Sequence, residues 1–553
     1  MSVPGIARVE GAVARHLVAA NTGVRRRAPQ VPTAPLLIWL LAGLVVLVML
    51  LPVAYLILRA IGAGAETWQL LLRTRTLEVL LRTAGLALLV TSSSAAISIP
   101  LAWLTVRTDL PFRKLWSVLA ILPLVIPTYV GGFVLVASLG PKGMFQQLLS
   151  GLGVERLPEI YGFPGAVLAL TLFSYPYLLL SVRAGLQSLD PAVEEASRSL
   201  GHRPWSTFWR VTLPQLRPAL ASGSLLVALY TLSDFGAVSL LQFDSFTRAI
   251  YLQYQGSFDR TMAALLALLL VAFTGLILLV EARTRGRARY HRSSAGSIRP
   301  AAILRLGRWR WPSLVFCGLV VLLALILPVF VLVYWLLQGL AQGIQPEVVW
   351  NAALNSTYSS GLAALVTVVA ALPVAILAVR YPGKVSGWLE RATYAGFALP
   401  GIVIALALVF FGANYATPLY QTLALLLLAY TVRFLPQAVG ATRTSLLQVS
   451  PRLEEAGRGL GRTHPVVLAT ITLPLVRPGI LAGLAMVFLT TMKELPATLL
   501  LSPIGFKTLA TTIWSATSGA FFAAAAAPAL LLVLVSGLSI VLLIRTEGRL
   551  RGE

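Results

Sequence analysis

The chain has 553 residues, of which 57% are hydrophobic and only 12% are charged. Soluble domains carry about 25% charged residues, so the composition excludes an ordinary soluble protein and indicates an all-α polytopic membrane protein. The formal net charge of +24 is typical of the positive-inside bias of cytoplasmic loops, and we prefer that interpretation to nucleic-acid binding. Cys317 is the one cysteine in the sequence, which excludes an intrachain disulfide framework.

Twelve apolar runs are each close to the roughly 20 residues that a spanning helix needs. They lie at 36–58, 83–106, 115–139, 164–182, 218–241, 262–280, 313–337, 357–379, 392–412, 419–437, 478–501 and 521–544. Because a backbone inside lipid must satisfy its own hydrogen bonds, these runs are predicted to form about 12 transmembrane helices. The first run is too long for the apolar core of a signal peptide, so no cleavable leader is expected.

The Lys and Arg residues predict the orientation of the chain. They are concentrated before the first run and after each even-numbered run, with Arg433 counted at the end of the tenth. Cytoplasmic loops carry this excess in membrane proteins. Both termini are therefore predicted to be cytoplasmic, and we expect a multi-pass protein of the bacterial inner membrane.

The runs divide into two halves of six. Because six crossings return the chain to its starting side, the predicted architecture is two parallel six-helix repeats. We expect a cytoplasmic tail (1–34), a first repeat (35–281), a basic cytoplasmic linker (282–310) and a second repeat (311–553). The tail is expected to be either an amphipathic helix over residues 4–20 or a disordered segment.

The two repeats can be aligned at two places. Leu122-Pro123 matches Leu399-Pro400 at an offset of 277 residues, whereas a longer stretch matches at an offset of 260. The difference predicts that 17 residues are missing from the second half. We place the deletion in the loop after the third run, since exposed loops tolerate changes in length.

The longer match joins two polar stretches, residues 190–218 (repeat segment 1) and residues 450–478 (repeat segment 2). Twelve of their 29 positions are identical. Each segment begins with an N-cap residue type followed by proline, which predicts a helix start. A glycine about ten positions later can end that helix in a left-handed conformation. A second short helix, ended by a Leu-Pro pair, would complete a helix–turn–helix at the membrane surface.

The second helix of repeat segment 1 is predicted to carry an apolar face. Trp205, Phe208, Trp209 and Thr212 follow the spacing of one helix face. An amphipathic segment that packs on its own protein or on lipid headgroups would show part of this pattern. Such a segment needs neither an acidic pair nor a glycine at fixed positions, yet both recur in repeat segment 2.

The repeated pattern E-A-x-x-x-x-G, followed by L-P, resembles the cytoplasmic loop motif of permease subunits in binding-protein-dependent ABC importers. The matching residues are Glu195, Ala196, Gly201, Leu213 and Pro214 in repeat segment 1, and Glu455, Ala456, Gly461, Leu473 and Pro474 in repeat segment 2. The third motif position is Ser197 or Gly457, where the family usually has alanine. The resemblance implies a coupling helix that binds a groove on a separate ATPase subunit, with Glu195 and Glu455 making polar contacts to it.

The resemblance also implies partners. Two ATP-binding subunits would bind on the cytoplasmic side, and a periplasmic or surface-tethered solute-binding protein would bind on the other. The chain contains no G-x-x-x-x-G-K-[ST] sequence. We therefore expect a transporter subunit that is not itself an enzyme and binds no cofactor, with ATP held by the partner subunits.

Besides Arg433 at the end of the tenth run, three charged residues fall inside apolar runs: Asp234, Lys493 and Glu494. Charges within the membrane are costly and are functional candidates by default. Gly236 and Pro496 each follow an acid by two residues and are predicted to break the helix there. We expect these charges to line or gate the translocation path. Direct coordination of the substrate and a packing ion pair, in which Lys493 or Arg59 neutralises an acid, are the alternatives.

The substrate is suggested by resemblance alone. The stretches KELPATLLL and GFKTLATTIW, within residues 493–514, resemble the same region of fused ferric-iron importer permeases. Thiamine importers share the fused layout and remain an alternative. A twelve-span secondary transporter is a further alternative, but the loop VRTDLPFRK at 106–114 matches its signature poorly. A membrane enzyme would need a catalytic constellation that the sequence does not suggest.

Overall fold

The computed structural model describes residues 35–284 and 303–551, except 72, 142, 151–152, 154–156, 257–259, 344–345, 395 and 397–398. In these ranges the chain is helical, apart from loops and an isolated β-bridge between Thr108 and Leu304. The tail at 1–34 and most of the linker lie outside the described residues. The predictions made for them therefore remain predictions.

The first half begins at α1 and ends at α14. Its helices are α1 (Leu36–Ile61), α2 (Ala65–Leu71), α3 (Thr74–Arg107), α4 (Arg113–Leu119), α5 (Thr128–Leu139), α6 (Met144–Ser150), α7 (Phe163–Ser188), α8 (Pro191–Ser199), α9 (Pro204–Thr207), α10 (Leu213–Gln215), α11 (Arg217–Ser233), α12 (Gly236–Leu240), α13 (Phe246–Gly256) and α14 (Thr261–Thr284). A 3-10 turn covers Leu122–Val125, and a π-helical turn covers Phe208–Thr212.

The second half repeats this order. Its helices are α15 (Arg310–Val321), α16 (Leu327–Ala341), α17 (Pro346–Arg380), α18 (Lys384–Thr393), α19 (Gly401–Tyr415), α20 (Leu423–Gln448), α21 (Pro451–Gly459), α22 (His464–Val467), α23 (Leu473–Met492), α24 (Pro496–Leu501), α25 (Leu509–Ser518) and α26 (Phe522–Arg551). π-helical turns join α15 to α16 at Leu322–Ile326 and α22 to α23 at Leu468–Thr472.

Eight helical stretches among the described residues are long and apolar enough to cross a membrane. They are Leu36–Ile61, Thr74–Arg107, Phe163–Ser188, Thr261–Glu281, Gly307–Ala341, Val349–Arg380, Leu423–Gln448 and His464–Met492. They account for eight of the twelve predicted spans. The remaining four runs are also helical. Runs 115–139, 218–241 and 392–412 fall on short or broken helices, whereas run 521–544 falls on the long helix α26. A polytopic all-α protein with two repeats is therefore confirmed, although several of its helices are less uniform than predicted.

The third span of each half is not one straight helix. In the first half, the helical stretches on either side of Pro127 meet at a bend of 92°. Proline has no N–H, so it removes a hydrogen bond inside a helix, but it fits without this loss just before the first helical residue. Pro127 takes that position before α5, and Pro400 takes it before α19. The apolar run alone could not indicate this break.

The same prolines correct the alignment of the repeats. Pro127 matches Pro400 at an offset of 273, and Arg107 and Arg380, which end equivalent spans, are separated by the same number. The offset of 277 from Leu122-Pro123 was therefore wrong. The second half lacks 13 residues rather than 17 between this region and repeat segment 2. The error arose because Pro123 lies only four residues before Pro127, the true match of Pro400.

The core of each half is a set of three mutually packed helices. These are α3, α7 and α11 in the first half, and α17, α20 and α23 in the second. The outer spans are exchanged between the halves. α1 and α14 contribute to a hydrophobic core with α17 and α20 of the second half, and α16 and α26 contribute to a core with α5 and α7 of the first.

Candidate functional site

Repeat segment 1 folds as a helix, a glycine turn and a second short helical stretch. The Asp190 carboxylate accepts a hydrogen bond from the Ala192 N–H at 3.0 Å and caps α8. At the other end the Gly201 N–H donates to the Arg198 carbonyl at 2.9 Å, and the next N–H donates to the Ser197 carbonyl at 3.3 Å. This pair of bonds is a Schellman motif, and it requires the left-handed φ of +85° at Gly201.

Repeat segment 2 ends its first helix in the same way. Gly461 has φ of +81° and donates to the Arg458 carbonyl at 2.9 Å, and the Arg462 N–H donates to the Gly457 carbonyl at 3.2 Å. Ser450 occupies the N-cap position of α21 but makes no capping hydrogen bond through its side chain. The predicted helix and glycine turn are thus present in both segments.

The Leu-Pro pairs do not end the second helix as predicted. Leu213 begins α10, and Leu473 begins α23, which runs directly into the membrane-spanning region. Proline at the second helical position, where its missing N–H is not needed, starts a helix rather than stopping one. A π-helical turn before each pair joins the two stretches.

The predicted apolar face of repeat segment 1 is split by this π-helical turn. Phe208 and Thr212 are buried, and the Phe208 ring packs against Trp103 of α3 with centroids 6.1 Å apart. Trp205 and Trp209 instead remain exposed. Of the four residues predicted to share one face, two are therefore buried in the protein and two lie on its surface.

The acidic pair in repeat segment 1 is divided in the same way. Glu194 is buried: its Oε1 accepts a hydrogen bond from the Thr212 hydroxyl at 2.9 Å and lies 3.5 Å from Arg107 Nη2. Glu195, the motif glutamate, is exposed beside the equally exposed Ala196. Glu194 therefore ties α8 to the end of the spanning helix α3, and Glu195 is available to a partner.

Repeat segment 2 has the same contacts with closer geometry. Arg380 Nε lies 2.8 Å from Glu454 Oε1, and the Thr472 hydroxyl donates to the same oxygen at 3.0 Å. Glu455 and Ala456 are exposed. Glu194 and Glu454 were predicted only as members of an acidic pair and not as internal contacts, although a repeated glutamate and a repeated arginine at the end of a span were visible signals.

The third motif position is small for a steric reason. A Cβ on Gly457 would lie 2.8 Å from Ile471 Cδ1, and Ser197 is buried with its hydroxyl 3.2 Å from that of Thr207. This position faces the second short helix of its segment. Only a small residue fits between the two helices, which explains why serine and glycine can replace alanine there.

The outward faces of α8 and α21 are apolar at their C-terminal ends. Leu200 is 81% exposed and Leu460 is 84% exposed, each immediately before the turn glycine. Each leucine lies on a helix whose opposite side is fixed by a glutamate, buried in the case of Glu194 and partly buried in the case of Glu454. A rigid helix with an exposed leucine and an exposed acid is a suitable surface for binding another protein.

The loops behind the two segments differ. In repeat segment 2 the Tyr381 hydroxyl contacts His464 Nε2, and burial raises the pKa of the Tyr381 phenol. In the first half, backbone hydrogen bonds from the end of the linker take the place of this side-chain contact. The Leu304 N–H donates to the Arg107 carbonyl at 2.8 Å, and the Asp109 N–H donates to the Leu304 carbonyl at 3.1 Å.

A central cavity of about 230 Å³ lies between the two halves and contains all three predicted membrane charges. Its polar lining residues are Thr128, Tyr129, Tyr177, Tyr230, Ser233, Asp234, Arg433, Gln437, Thr490, Lys493 and Glu494. Both α11 and α23 run from a repeat segment to this cavity. An α-helix rises about 1.5 Å per residue, so Asp234, at the end of the 17-residue α11, lies roughly 25 Å from the helix start.

Asp234 occupies a break between two helices, as predicted from Gly236. Its Oδ1 accepts hydrogen bonds from the N–H groups of Ala237 at 3.1 Å and Val238 at 3.2 Å, which caps α12. Its other oxygen accepts from the Thr128 hydroxyl. The Asp234 carboxylate is buried, and all three of these hydrogen-bond donors belong to the first half.

Glu494 occupies the equivalent break but is paired with a cation. Arg433 Nε lies 3.0 Å from Glu494 Oε2, and the Lys493 ammonium donates to the Leu124 carbonyl of the other half at 2.9 Å. The Arg59 guanidinium lies over the Phe410 ring. The partner of the acid is therefore neither of the two predicted cations. Arg433 lies within α20, not at its end, and was missed because it was counted at the inner end of the tenth run.

Small differences between the halves explain the unequal pairing. Gly401 takes the place of Thr128, and a Cβ on Gly401 would lie 2.2 Å from Arg433 Nη1 and 2.5 Å from Glu494 Oε1. At the Arg433 position the first half has Phe173. The Thr128 hydroxyl therefore hydrogen-bonds to Asp234 in the first half. In the second half, the absence of a side chain at Gly401 leaves room for Arg433 to pair with Glu494.

Within the described residues, no group of three or more His, Cys, Asp or Glu side chains is placed to hold a metal ion. The central cavity combines two acids, two cations and three tyrosine rings. The cavity is a polar passage between two helical repeats. Each repeat carries a rigid helix–turn–helix between its fourth and fifth predicted spans. These features define the membrane-spanning component of a transporter.

Comparison with known proteins identifies the family. The profile of the binding-protein-dependent transport system inner membrane component family matches residues 94–286 and again residues 368–546. The chain therefore belongs to this family, and it carries the family domain twice. The membership excludes the secondary transporter considered from the sequence, and it implies that the chain works with ATPase and substrate-binding proteins.

Individual relatives match either the whole chain or one half. The Fe(3+)-transport system permease protein FbpB 2 of Haemophilus influenzae is 39% identical over 515 residues, covering 92% of this chain and 98% of the relative. The ferric transport system permease protein FbpB of Actinobacillus pleuropneumoniae is 28% identical, covering 73% and 61%. The molybdenum transport system permease protein ModB of Escherichia coli is 32% identical, covering only 37% of this chain but 89% of its own length.

Proposed function

We propose that this protein is the fused permease of a ferric-iron ABC importer, which provides the translocation path for iron delivered by an external binding protein. The observation that supports the class most directly is the duplicated helix–turn–helix, held from behind by Glu194 and Glu454. The resemblance of nearly the whole chain to an Fe(3+)-transport permease supports the substrate. Thiamine or another small solute is the second candidate, because thiamine importers share the fused layout.

The two repeat segments would bind two copies of a cytoplasmic ATPase, one at each segment. Both termini would then be cytoplasmic, and the protein would be a multi-pass component of the bacterial inner membrane. Glu195 and Glu455 would contact the ATPase because they are exposed on helices that are otherwise anchored. ATP would bind to those partners, and this chain would bind no cofactor.

The buried contacts suggest how ATP-driven motion would reach the membrane. When the ATPase pair closes, α8 and α21 would move with it. Each is tied to the end of a core helix through Arg107 or Arg380, so α3 and α17 would follow. Leu226 is 44% exposed and lines the central cavity on the side of the repeat segments. This structure would therefore correspond to a state open toward the ATPase side.

Transport by the reconstituted complex tests the proposal. The permease, its ATPase and its binding protein are placed in proteoliposomes, and uptake of labelled ferric iron is compared with that of labelled thiamine. We expect ATP-dependent uptake of iron only. Uptake of thiamine in place of iron would refute the substrate. ATP-independent uptake, or a permease that does not purify with an ATPase, would refute the class.

A further inference from the structure

Among the described residues, a second cavity lies along the interface between the halves in addition to the central cavity. This second cavity of about 580 Å³ lies beyond the central cavity, on the side away from the repeat segments. The helix α5 borders both: Tyr129 lines the central cavity, and Phe133, four residues later, lines the second. Four residues of α-helix rise about 6 Å. The layer that separates the two cavities is therefore about one helical turn thick.

Three aromatic side chains fill that layer. The Phe235 ring lies 4.7 Å from the Tyr251 ring and 5.1 Å from the Trp514 ring, measured between centroids. Phe235 borders the central cavity, whereas Tyr251 and Trp514 border the second. Phe235 is only 1% exposed. Its ring is enclosed between the two spaces and packs on a residue of each half.

The position of Phe235 is fixed by the break that holds Asp234. The ring belongs to the residue between the capping acid and the first residue of α12, and Gly236 beside it packs tightly. A Cβ on Gly236 would lie 2.5 Å from Tyr129 Cβ and 3.1 Å from Leu495 Cδ2. Any opening of the halves that moves Leu495 away from this contact would also release the Phe235 ring from Trp514.

The outer two aromatic residues are equivalent in the two repeats. A hydroxyl of α3 accepts from the Phe246 N–H at 3.1 Å, and a hydroxyl of α17 accepts from the Leu509 N–H at 2.8 Å. Tyr251 and Trp514 each follow five residues after these matched positions. The central position is not equivalent, because the match of Phe235 in the second half is Leu495. The layer thus has two symmetric sides and one aromatic centre.

We infer that Phe235, packed between Tyr251 and Trp514, is the gate that closes the translocation path between the second cavity and the central cavity. A constriction lined by apolar rings excludes hydrated ions because water does not fill it. Asp234, the residue before Phe235, would contact the cargo only after the Phe235 ring has moved. The direction of passage rests on the proposed function, but the barrier itself does not.

Thiol accessibility tests the gate without any cargo. Cys317, the one native cysteine, is first replaced by serine, and single cysteines are then introduced as T490C in the central cavity and S518C in the second. The full complex, without nucleotide, is treated with a membrane-impermeant thiol reagent in right-side-out and inside-out vesicles. The face from which S518C reacts identifies the second-cavity side, so a wrong orientation is recognised separately from a wrong gate.

From the second-cavity side, we expect S518C to react in every background and T490C to be protected while Phe235 is present. F235A should speed the reaction of T490C from that side about tenfold or more. F235L, which copies the residue of the second half, should have a smaller effect. W514A provides an independent opening from the other half if F235A folds poorly. Equal reactivity of T490C with and without Phe235 and Trp514 would overturn the inference.

Discussion

The adjacent glutamates of repeat segment 2 provide the most discriminating test. The Glu454 side chain packs against Arg380 and Thr472 and is only 14% exposed, whereas Glu455 is exposed. Removing one partner of a buried ion pair costs about 3 kcal/mol, at the lower end of the usual range, and Arg380 keeps a hydrogen bond to the Val449 carbonyl at 3.0 Å. E454A should therefore release α21 from α17. E455A should leave that contact intact and weaken only the proposed contact with the ATPase.

The two effects can be separated by measurement. A loss of about 3 kcal/mol corresponds to local opening on the order of 100-fold more frequent, and hydrogen exchange of the α21 amides reports this directly. E455A should leave exchange unchanged while reducing ATPase co-purification and ATP-driven uptake. E454Q, which still accepts from Thr472, should lie between wild type and E454A. Equal exchange in E454A and E455A would refute the assignment of the two roles.

Three further changes test other parts of the site. G457V should destabilise repeat segment 2 by about 1–3 kcal/mol through collision with Ile471, whereas G457A should be tolerated; exchange of the α21 amides distinguishes them. G461A should cost about 1 kcal/mol because its left-handed φ of +81° is unfavourable for alanine, and unchanged exchange at the turn would count against the Schellman geometry. E494A should lower thermal stability through an unpaired Arg433, and the E494A/R433A double variant should recover part of the loss, which a thermal denaturation series would detect.

Features of the repeated segments were predictable because local rules determine them. A proline after the N-cap, a glycine at the helix end and an acid before a helix breaker have few conformations, so the turns at Gly201 and Gly461 and the breaks at Asp234 and Glu494 occur where predicted. Which glutamate of each pair is buried was not predictable. That depends on the ends of α3 and α17, which come close only after folding.

The errors have a common physical cause. Apolar runs indicate residence in lipid but not the path of the helix, so the bend at Pro127 and the equivalent break at Pro400 were not recognised as span interruptions. Arg433 was placed at the inner end of the tenth run as one of the basic residues that set the orientation, but its guanidinium pairs with Glu494 inside the protein. Long-range contacts of this kind are absent from sequence periodicity.

The exchange of outer spans has a consequence for biogenesis. α1 leaves the ribosome roughly 300 residues before the helix α17 on which it packs. At synthesis rates of about 5–20 residues per second, it would wait roughly 15–60 seconds with that surface facing lipid. α1 is apolar except for Arg59 in its last turn, so it can do so at little cost, whereas the acid-bearing break at Asp234 cannot be shielded as well until its neighbours arrive. Polarity therefore sets the order of assembly. The apolar outer spans can remain exposed to lipid, whereas the helices that carry the buried charges must pack against one another at the same time.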